Sequence, residues 1–488
     1  MRGAWRVADI RAAEDALMAT LPDGTLMQRA AAGLARRCAL LLADAAGGVY
    51  GRRVLLLVGA GNNGGDALYA GAALARRGAT VDALLLVPDR VHSGGLAAFR
   101  GAGGTVVDQL PAADLVVDGI VGIGASGGLR EPASRVVDAM RHLRTQDGRR
   151  PVVVAVDVPS GVEVDTGYVP GTAVRADATV TFGCLKLALI AGPAAALAGE
   201  VEVVDIGLTR WLRGEPAVRV PELSDLRRWW PRLPANAEKY TRGVVGLATG
   251  SARYPGAAVL SVAGALTGPV GLIRYAGTAA PLVAQHHPSV IVTDRVANAG
   301  RVQAWVCGSG LGTDERAAAD LRAILATSVP VVLDADALTL LVDGSMAGLL
   351  RHRDAPIVLT PHDREFARLA GGGPGDDRVA AALRLASWTN AVVLLKGDHT
   401  IVGTPGGRAW SNPTGTPVLA TGGTGDVLAG LLGSLLAAGV TAERAAVAAA
   451  YLHGLAGREA ARAGPVTSAD VPSALRTVIS ELDGHEPA

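Results

Sequence analysis

The sequence predicts a two-domain α/β protein in which each domain is a parallel sheet between layers of helices. Three observations predict it. Short apolar runs alternate with helical patterns through both halves of the chain, as strands joined by crossover helices do. The stretch from Trp211 to Glu238, rich in Pro, Arg and Trp, interrupts that alternation. Glycine-rich turns and acids follow the apolar runs, at the strand ends where such sheets collect ligands. A length of 488 residues suits two domains, and a hydrophobic content of 49% supports a large core in each.

The elements follow in order. Val54–Val58 reads as a buried strand, Asp66–Arg77 as a helix and Val81–Val87 as the next strand. Leu115–Asp118 and Val152–Asp157 are strands that each end in an acid, and Thr179–Phe182 and Val201–Val204 complete the set. The boundary falls near Gly214, giving domains of residues 1–213 and 214–488. Beyond it, Val244–Ala248, Ala304–Cys307, Val331–Leu333, Pro356–Thr360 and Ala391–Leu395 read as strands. Val427–Val440 reads as a buried helix, and Ala-rich helices from Thr441 to Arg462 close the domain. No internal repeat relates the two halves.

Composition excludes several classes. A net charge of +1 without a basic block argues against nucleic acid as a partner. The first nine residues hold no apolar signal core, and the apolar run after Asp426 is too short and Gly-interrupted to span a bilayer. Cys38, Cys184 and Cys307 are scattered, with no paired spacing for zinc or redox chemistry. A soluble cytoplasmic protein is expected. Only three of the 46 Lys and Arg residues are lysines, at Lys186, Lys239 and Lys396, each in or beside a motif. In so arginine-rich a chain, a surviving lysine suggests a place that needs a compact ammonium.

The run from Thr421 to Gly430 carries the sharpest signal. Its glycines let backbone N–H groups crowd around an anion at a helix N-terminus, where the helix dipole also favours negative charge. Asp426 then stands where it can take a proton from a hydroxyl attacking a phosphoryl group. The plain alternative is a glycine turn with Asp426 as helix cap. Further motifs surround it in sequence: Gly250–Ala258, Gly308–Gly312, Asp334 with Asp336, His362–Glu365, and Lys396–Thr400. Asp334, Asp336 and His362 could each be helix caps instead.

In the first half, Gly59–Asp66 follows a strand and precedes a helix, the context of a phosphate loop. Asn62, Asn63 and Asp66 add polar contacts and oxygen ligands for an ion. Gly119–Gly128 is a second glycine-rich strand end, and Asp157 with Ser160 and Gly161 forms a third. Lys186 supplies a cation from the neighbouring strand.

The first-half motifs, over about residues 5–210, resemble the epimerase domain of the NAD(P)H-hydrate repair enzymes, the YjeF amino-terminal family. The second-half motifs, over about residues 220–485, resemble in order the ribokinase-like dehydratase domain of the same enzymes. The resemblance implies a Rossmann-like three-layer first domain and a ribokinase-like three-layer second domain. It implies that Asn62, Asn63, Gly64, Gly65 and Asp66, with Gly122, Ile123, Gly124, Ala125, Ser126, Gly127 and Gly128, hold a hydrated nicotinamide dinucleotide. Asn63, Asp118 and Ser160 would bind K+, and Asp157 and Lys186 would line the reaction centre. In the second domain, Ala257, Gly310 and His362 would contact the hydrated dinucleotide. Lys396, Gly397, Asp398, His399, Thr400 and Gly425 would hold ADP or ATP with Mg2+, and Asp426 would be the catalytic base. The implied substrates are hydrated NADH and NADPH, with ADP the favoured phosphoryl donor. The exposed edges of two open sheets also suggest a homo-oligomer.

This chain departs from the family pattern in three places. Ala67 follows Asp66 where the family often has Gly, His362-Asp-Arg-Glu365 replaces His-Pro-Gly-Glu, and Thr416-Pro-Val-Leu419 replaces Asn-Pro-Gly-Met. Two competing readings share many of these residues. One is a ribokinase-type small-molecule kinase fused to a nucleotide-binding module, and the other makes the first half a non-enzymatic nucleotide sensor.

Overall fold

A computed structural model describes residues 1–124, 127–233, 235–342 and 347–482. It divides into two compact units, residues 3–218 and residues 1–2 with 219–488.

In the first unit seven strands form one parallel sheet. Their order is Thr105–Val107, Thr80–Leu85, Arg53–Val58, Leu115–Gly119, Val152–Val156, Ala178–Phe182 and Glu200–Val204. The chain starts in the middle, builds to one edge, then returns to build the other. This leaves a topological switch point between Arg53–Val58 and Leu115–Gly119, the place where such sheets collect ligands. Both expected glycine loops leave from that point. The strands alternate as a two-residue period requires: Val54, Leu56 and Val58 enter one core, while Leu55 and Leu57 enter the core on the opposite face.

Two helices ahead of the first buried strand, Val7–Met18 and Thr25–Ala46, belong to this unit and were not expected from sequence. Ile10, Ala13 and Leu17 make one buried stripe; Ala30, Leu34, Cys38 and Leu42 make another. Both stripes have helical spacing.

The second unit repeats the logic on a wider sheet. Its parallel strands run Ile291–Thr293, Leu272–Ala276, Val244–Ala248, Ala304–Cys307, Val331–Leu333, Ile357–Leu359 and Val392–Leu395. Ile401–Gly403 and Ala409–Ser411 continue it antiparallel. The switch point lies between Val244–Ala248 and Ala304–Cys307. The segment expected to carry no strand contains Val218–Val220 and a helix, Leu223–Trp229, that closes on itself with a capping box between Glu222 and Asp225.

The helix Thr424–Ala437 is buried on nearly every side, as its apolar composition demands. It lies against the helix Pro255–Ala265 at backbone distance. A Cβ on Gly430 would strike the Ser261 carbonyl, and one on Gly264 would strike the Val427 carbonyl. Only glycine permits that approach from both sides. Among the described residues, no helix is long and apolar enough to cross a membrane. All three cysteines are buried and free.

Candidate functional site

In the first unit the expected residues gather around the switch point. Asn62 and Asn63 are not in a loop but open the helix Asn62–Arg76, so the glycines form its first turn. Gly59 N–H donates to the Gly119 carbonyl at 3.1 Å, tying the two glycine segments together. A Cβ on Gly122 would lie 2.8 Å from Asn63 Oδ1 and 3.4 Å from Asp157 Oδ2, so all three residues face one space. Asn63 Nδ2 and Asp66 Oδ1 are buried without a hydrogen-bond partner. Unpaired buried polar atoms are costly, which marks them as groups that await a ligand.

Asp157 follows the strand Val152–Val156 with φ 69°, a left-handed conformation that a non-glycine residue holds only under constraint. Its carboxylate meets Lys186 Nζ at 2.6 Å. Lys186 is almost wholly buried and also donates to Thr181 Oγ1 at 2.9 Å and to the Phe182 carbonyl at 2.8 Å. Thr181 Oγ1 donates to Asp157 Oδ1 at 3.1 Å. The lysine is thus fixed by three acceptors, and its charge is aimed at one carboxylate.

Asp118 and Ser160 form a separate buried pair. Ser160 donates its hydroxyl at 2.6 Å and its backbone N–H at 2.8 Å to the Asp118 carboxylate. Burial pushes the Asp118 carboxyl up to about 6, while Ser160 and the Ile120 N–H restrain the rise. Gly124, Gly127 and Gly128 belong to the second glycine segment; Ala125 and Ser126, expected beside them, lie outside the described residues.

In the second unit Asp426 occupies the third position of its helix, and Gly423 is the cap. The plain reading of Asp426 as a helix cap therefore fails. Burial, then the charge of Asp334, pushes its carboxyl up to about 7. Asp334 goes the opposite way. Burial would raise it, but Lys396 Nζ at 2.8 Å, Thr360 Oγ1 at 2.7 Å and Ser309 Oγ at 2.9 Å hold it below its ordinary value. Lys396 loses some basicity to burial and regains more from Asp334 and Glu365, the latter at 3.6 Å.

Backbone geometry brings these groups together. Ala335 takes φ 47°, a strained turn that sends Asp334 inward and starts the helix at Asp336. Asp336 accepts the Gly312 N–H at 2.8 Å. A Cβ on Gly310 would touch that of Ala257 at 2.7 Å, and one on Gly425 would sit 3.7 Å from Lys396 Nζ. Ala257 with Gly310, and Gly425 with Lys396, are therefore neighbours.

Lys396 parts from its sequence neighbours. It turns inward to Asp334, while Gly397 and Asp398 form the exposed tip of the turn, with His399 half-buried and Thr400 buried behind them. Lys239, by contrast, is an exposed surface lysine resting over the Tyr240 ring at 5.2 Å. Lysine scarcity points to two of three places.

His362 is a helix cap: its Nδ1 accepts from Arg364 N at 3.1 Å and Glu365 N at 3.2 Å, while Glu365 Oε2 accepts from His362 N at 2.9 Å. The half-exposed ring still presents Nε2, 3.3 Å from Glu365 Oε1. The missing Pro and Gly of this turn are accommodated. Asp363 faces outward and pairs with Arg378 at 2.7 Å, and Arg378 in turn donates to the Lys396 carbonyl at 2.9 Å.

Sequence reading missed two groups. Ser309 lies inside Gly308–Gly312, a segment whose glycines carry the whole of its sequence signal. Glu14, on an unexpected helix, is coupled electrostatically to Lys186 and Asp157. Only helical spacing with the buried stripe could have flagged it.

Two doubly wound α/β units, each with a carboxylate paired to a lysine beyond the ends of its strands, define a two-site enzyme class whose second unit is kinase-like. The comparisons agree. A model of NAD(P)H-hydrate dehydratase matches residues 245–479, and a model of the YjeF-related protein N-terminus matches residues 23–188. A bifunctional NAD(P)H-hydrate repair enzyme of Mycobacterium leprae is 49% identical over 99% of this chain and 98% of its own. Its counterpart in Mycobacterium tuberculosis is 50% identical over 91% of each chain. A ribokinase-like superfamily protein from Enterococcus faecalis covers 55% of this chain and 98% of its own, at 25% identity and a TM-score of 0.50. The chain belongs to the family of bifunctional NAD(P)H-hydrate repair enzymes.

Proposed function

We propose that this protein repairs hydrated nicotinamide dinucleotides in two steps, one per domain. The first domain interconverts the R and S epimers of hydrated NADH and NADPH. The second dehydrates the S epimer to NAD(P)H with ADP as phosphoryl donor, ATP being the alternative, and releases phosphate. The observation that carries the proposal is the cluster of Asp426, Lys396, Asp334 and Ser309 at the N-terminus of Thr424–Ala437. It joins a carboxylate tuned to accept a proton near neutrality with a helix end suited to a phosphoryl group.

Hydroxide is a poor leaving group, so the substrate hydroxyl is first phosphorylated. Asp426 takes the hydroxyl proton as the terminal phosphoryl of the nucleotide reaches the helix end, whose free N–H groups stabilise its charge. Phosphate then departs with the C–O bonding pair, the adjacent ring carbon releases a proton to solvent, and the electrons of that C–H bond re-form the ring double bond. Ala257, Gly310 and His362 line the dinucleotide side. Lys396, Gly425 and the turn Gly397–Thr400 line the nucleotide side, and Mg2+ enters with the nucleotide as part of that substrate. Lys396 also neutralises Asp334, which leaves Asp426 as the basic carboxylate.

In the first domain Asn62–Asp66 and Gly122–Gly128 bind the hydrated dinucleotide. Inverting the hydroxyl-bearing carbon requires a bond at that carbon to break and re-form on the opposite face, and Asp157 takes and returns the proton while Lys186 balances its charge. Asn63, Asp118 and Ser160 fit a monovalent cation. Asp118 is a fully buried carboxylate restrained by hydrogen bonds alone, and the three residues supply oxygen donors. K+ there would neutralise Asp118 and brace the two glycine segments. We place the protein in the cytoplasm, with the dinucleotides it would repair, and the open sheet edges suit a homo-oligomer.

The test supplies mixed epimers of hydrated NADH with ADP, with ATP or with neither, and follows reduced-nicotinamide absorbance and free phosphate. The proposal expects recovery with ADP, one phosphate released per NADH formed. A stable phosphorylated product without recovery would move the assignment to a small-molecule kinase.

A further inference from the structure

Lys396 is gripped along its backbone as well as at its ammonium. Its N–H donates to the Pro361 carbonyl at 2.8 Å, and its carbonyl accepts from Arg378 Nη2 at 2.9 Å. Asp334 and Glu365 stand 2.8 Å and 3.6 Å from its Nζ. Pro361 and Glu365 flank His362, so the turn that carries His362 holds Lys396 at two points directly. Arg378 adds a third hold by way of Asp363.

The geometry of Arg378 suits that task. Asp377 caps the helix Arg378–Thr389 by accepting the Ala380 N–H at 2.8 Å, which sets Arg378 at the first helical position. From there Nη1 donates to both carboxylate oxygens of Asp363, at 2.7 Å and 2.9 Å, while Nη2 donates to the Lys396 carbonyl. The Arg378 side chain is only 15% exposed, so little water competes for these bonds. A planar guanidinium holds two acceptors at a fixed spacing, which a single ammonium does not. A Cβ on Gly397 would lie 3.0 Å from Nη2, so glycine at that position leaves room for the fork. Asp363 stands where the family pattern has Pro, a residue with no carboxylate to offer.

We propose that Arg378 is a positioning residue of the nucleotide side. Its fork fixes the Lys396 carbonyl against Asp363, and with it the direction of the Lys396 ammonium and the start of the turn Gly397–Thr400. The turn that grips the nucleotide is thereby locked to the turn that carries His362. Arg378 acts through Lys396 and makes or breaks no bond itself. A turn ordered before the nucleotide arrives spares binding the cost of ordering it.

This inference rests on Lys396 and the turn Gly397–Thr400 being the nucleotide side of a dehydratase. The test uses the full chain. Calorimetry measures binding of ADP or ATP with Mg2+, and initial rates on the S epimer of hydrated NADH give KM for each substrate. Arg378→Ala should weaken nucleotide binding and raise the nucleotide KM by about tenfold, since a charged donor to a sheltered carbonyl is lost. The S-epimer KM should stay unchanged, because the His362 turn keeps its own capping box. Arg378→Lys should resemble Arg378→Ala although it keeps the charge. Asp363→Ala should give a smaller shift of the same kind, about threefold, as befits a partly exposed pair. The double variant should match Arg378→Ala alone, because Asp363 acts through Arg378. Wild-type nucleotide affinity in Arg378→Ala or Arg378→Lys would overturn the proposal. So would a lower kcat with both KM values unchanged, the signature of a merely structural role, or losses that add in the double variant. Should Arg378→Ala fail to fold, Asp363→Ala decides: a raised nucleotide KM supports the proposal and an unchanged one overturns it. Wild-type protein that binds nucleotide but leaves the S epimer untouched would remove the dehydratase reading, while the binding measurements still judge Arg378.

Discussion

Asp334 and Asp426 are two carboxylates of one site that the fold drives apart. Asp334 is ionised and tied to Lys396; Asp426 is dehydrated and pushed up to about 7. Environments that separate two acids in this way assign their roles, one as a fixed charge and one as a base. The dehydration rate should therefore rise with pH as Asp426 loses its proton, reach half its limit near pH 7 and level off above. At pH 6 about a tenth of the limit should remain, as rate measurements on the S epimer across pH 5–9 would register. Asp426→Asn should lower that rate by about 100- to 10,000-fold while leaving the fold intact. Lys396→Met strands the Asp334 charge in the interior. It should cost about 3 kcal/mol in urea denaturation as well as dehydratase activity. None of this opposition is legible in the sequence, because Lys396 stands beside the turn it precedes and its partner acid lies 62 positions away.

At the scale of elements, the helix Thr424–Ala437 is held at both its side and its end. Its side rests on Pro255–Ala265 through Gly430 and Gly264. Gly430→Ala should force the two helices apart and cost about 1–3 kcal/mol. Gly256→Ala, in the same helix pair but facing open space, should leave stability unchanged or slightly raised. The end of the helix is held by His453, whose Nε2 lies 2.9 Å from the Thr424 carbonyl. Burial pushes the His453 imidazole down to about 4. The folded protein therefore keeps a neutral ring at pH values where the unfolded chain takes up a proton. The stability it contributes is complete above pH 6.5 and falls away as pH drops towards 4, by about 3 kcal/mol in all. Urea titrations at pH 7 and pH 4.5 should show this slope in the wild type and lose it in His453→Gln.

Legibility also sorts by element. Central strands such as Val54–Val58 and Val331–Leu333 announce themselves as unbroken apolar runs, because both faces are covered. The edge strands Thr105–Val107 and Ile291–Thr293 are short and partly exposed, and Leu272–Ala276 carries Arg274, so neither length nor hydrophobicity marks them. The glycines of Asn62–Gly65 suggested a loop. Packing against the neighbouring strand overrides their weak helix propensity and makes them a helical first turn.

Over the whole molecule, two doubly wound units each set acids and a lysine beside a strained turn, at Asp157 in one and at Ala335 in the other. The groups are Asp157 with Lys186 in one, and Asp334 and Asp426 with Lys396 in the other. The switch points, glycine segments and acids were legible because topology puts them at strand ends. The pairings were not, because they join residues far apart in sequence. The central claim is that the two sites perform successive steps, and separate epimers test it directly. Purified R and S epimers of hydrated NADH would be given, with ADP, to wild-type protein, Asp157→Ala and Asp426→Asn. The account predicts that wild type restores NADH from both, that Asp157→Ala restores it only from the S epimer, and that Asp426→Asn restores it from neither. Restoration from the R epimer by Asp157→Ala at the wild-type rate would contradict it.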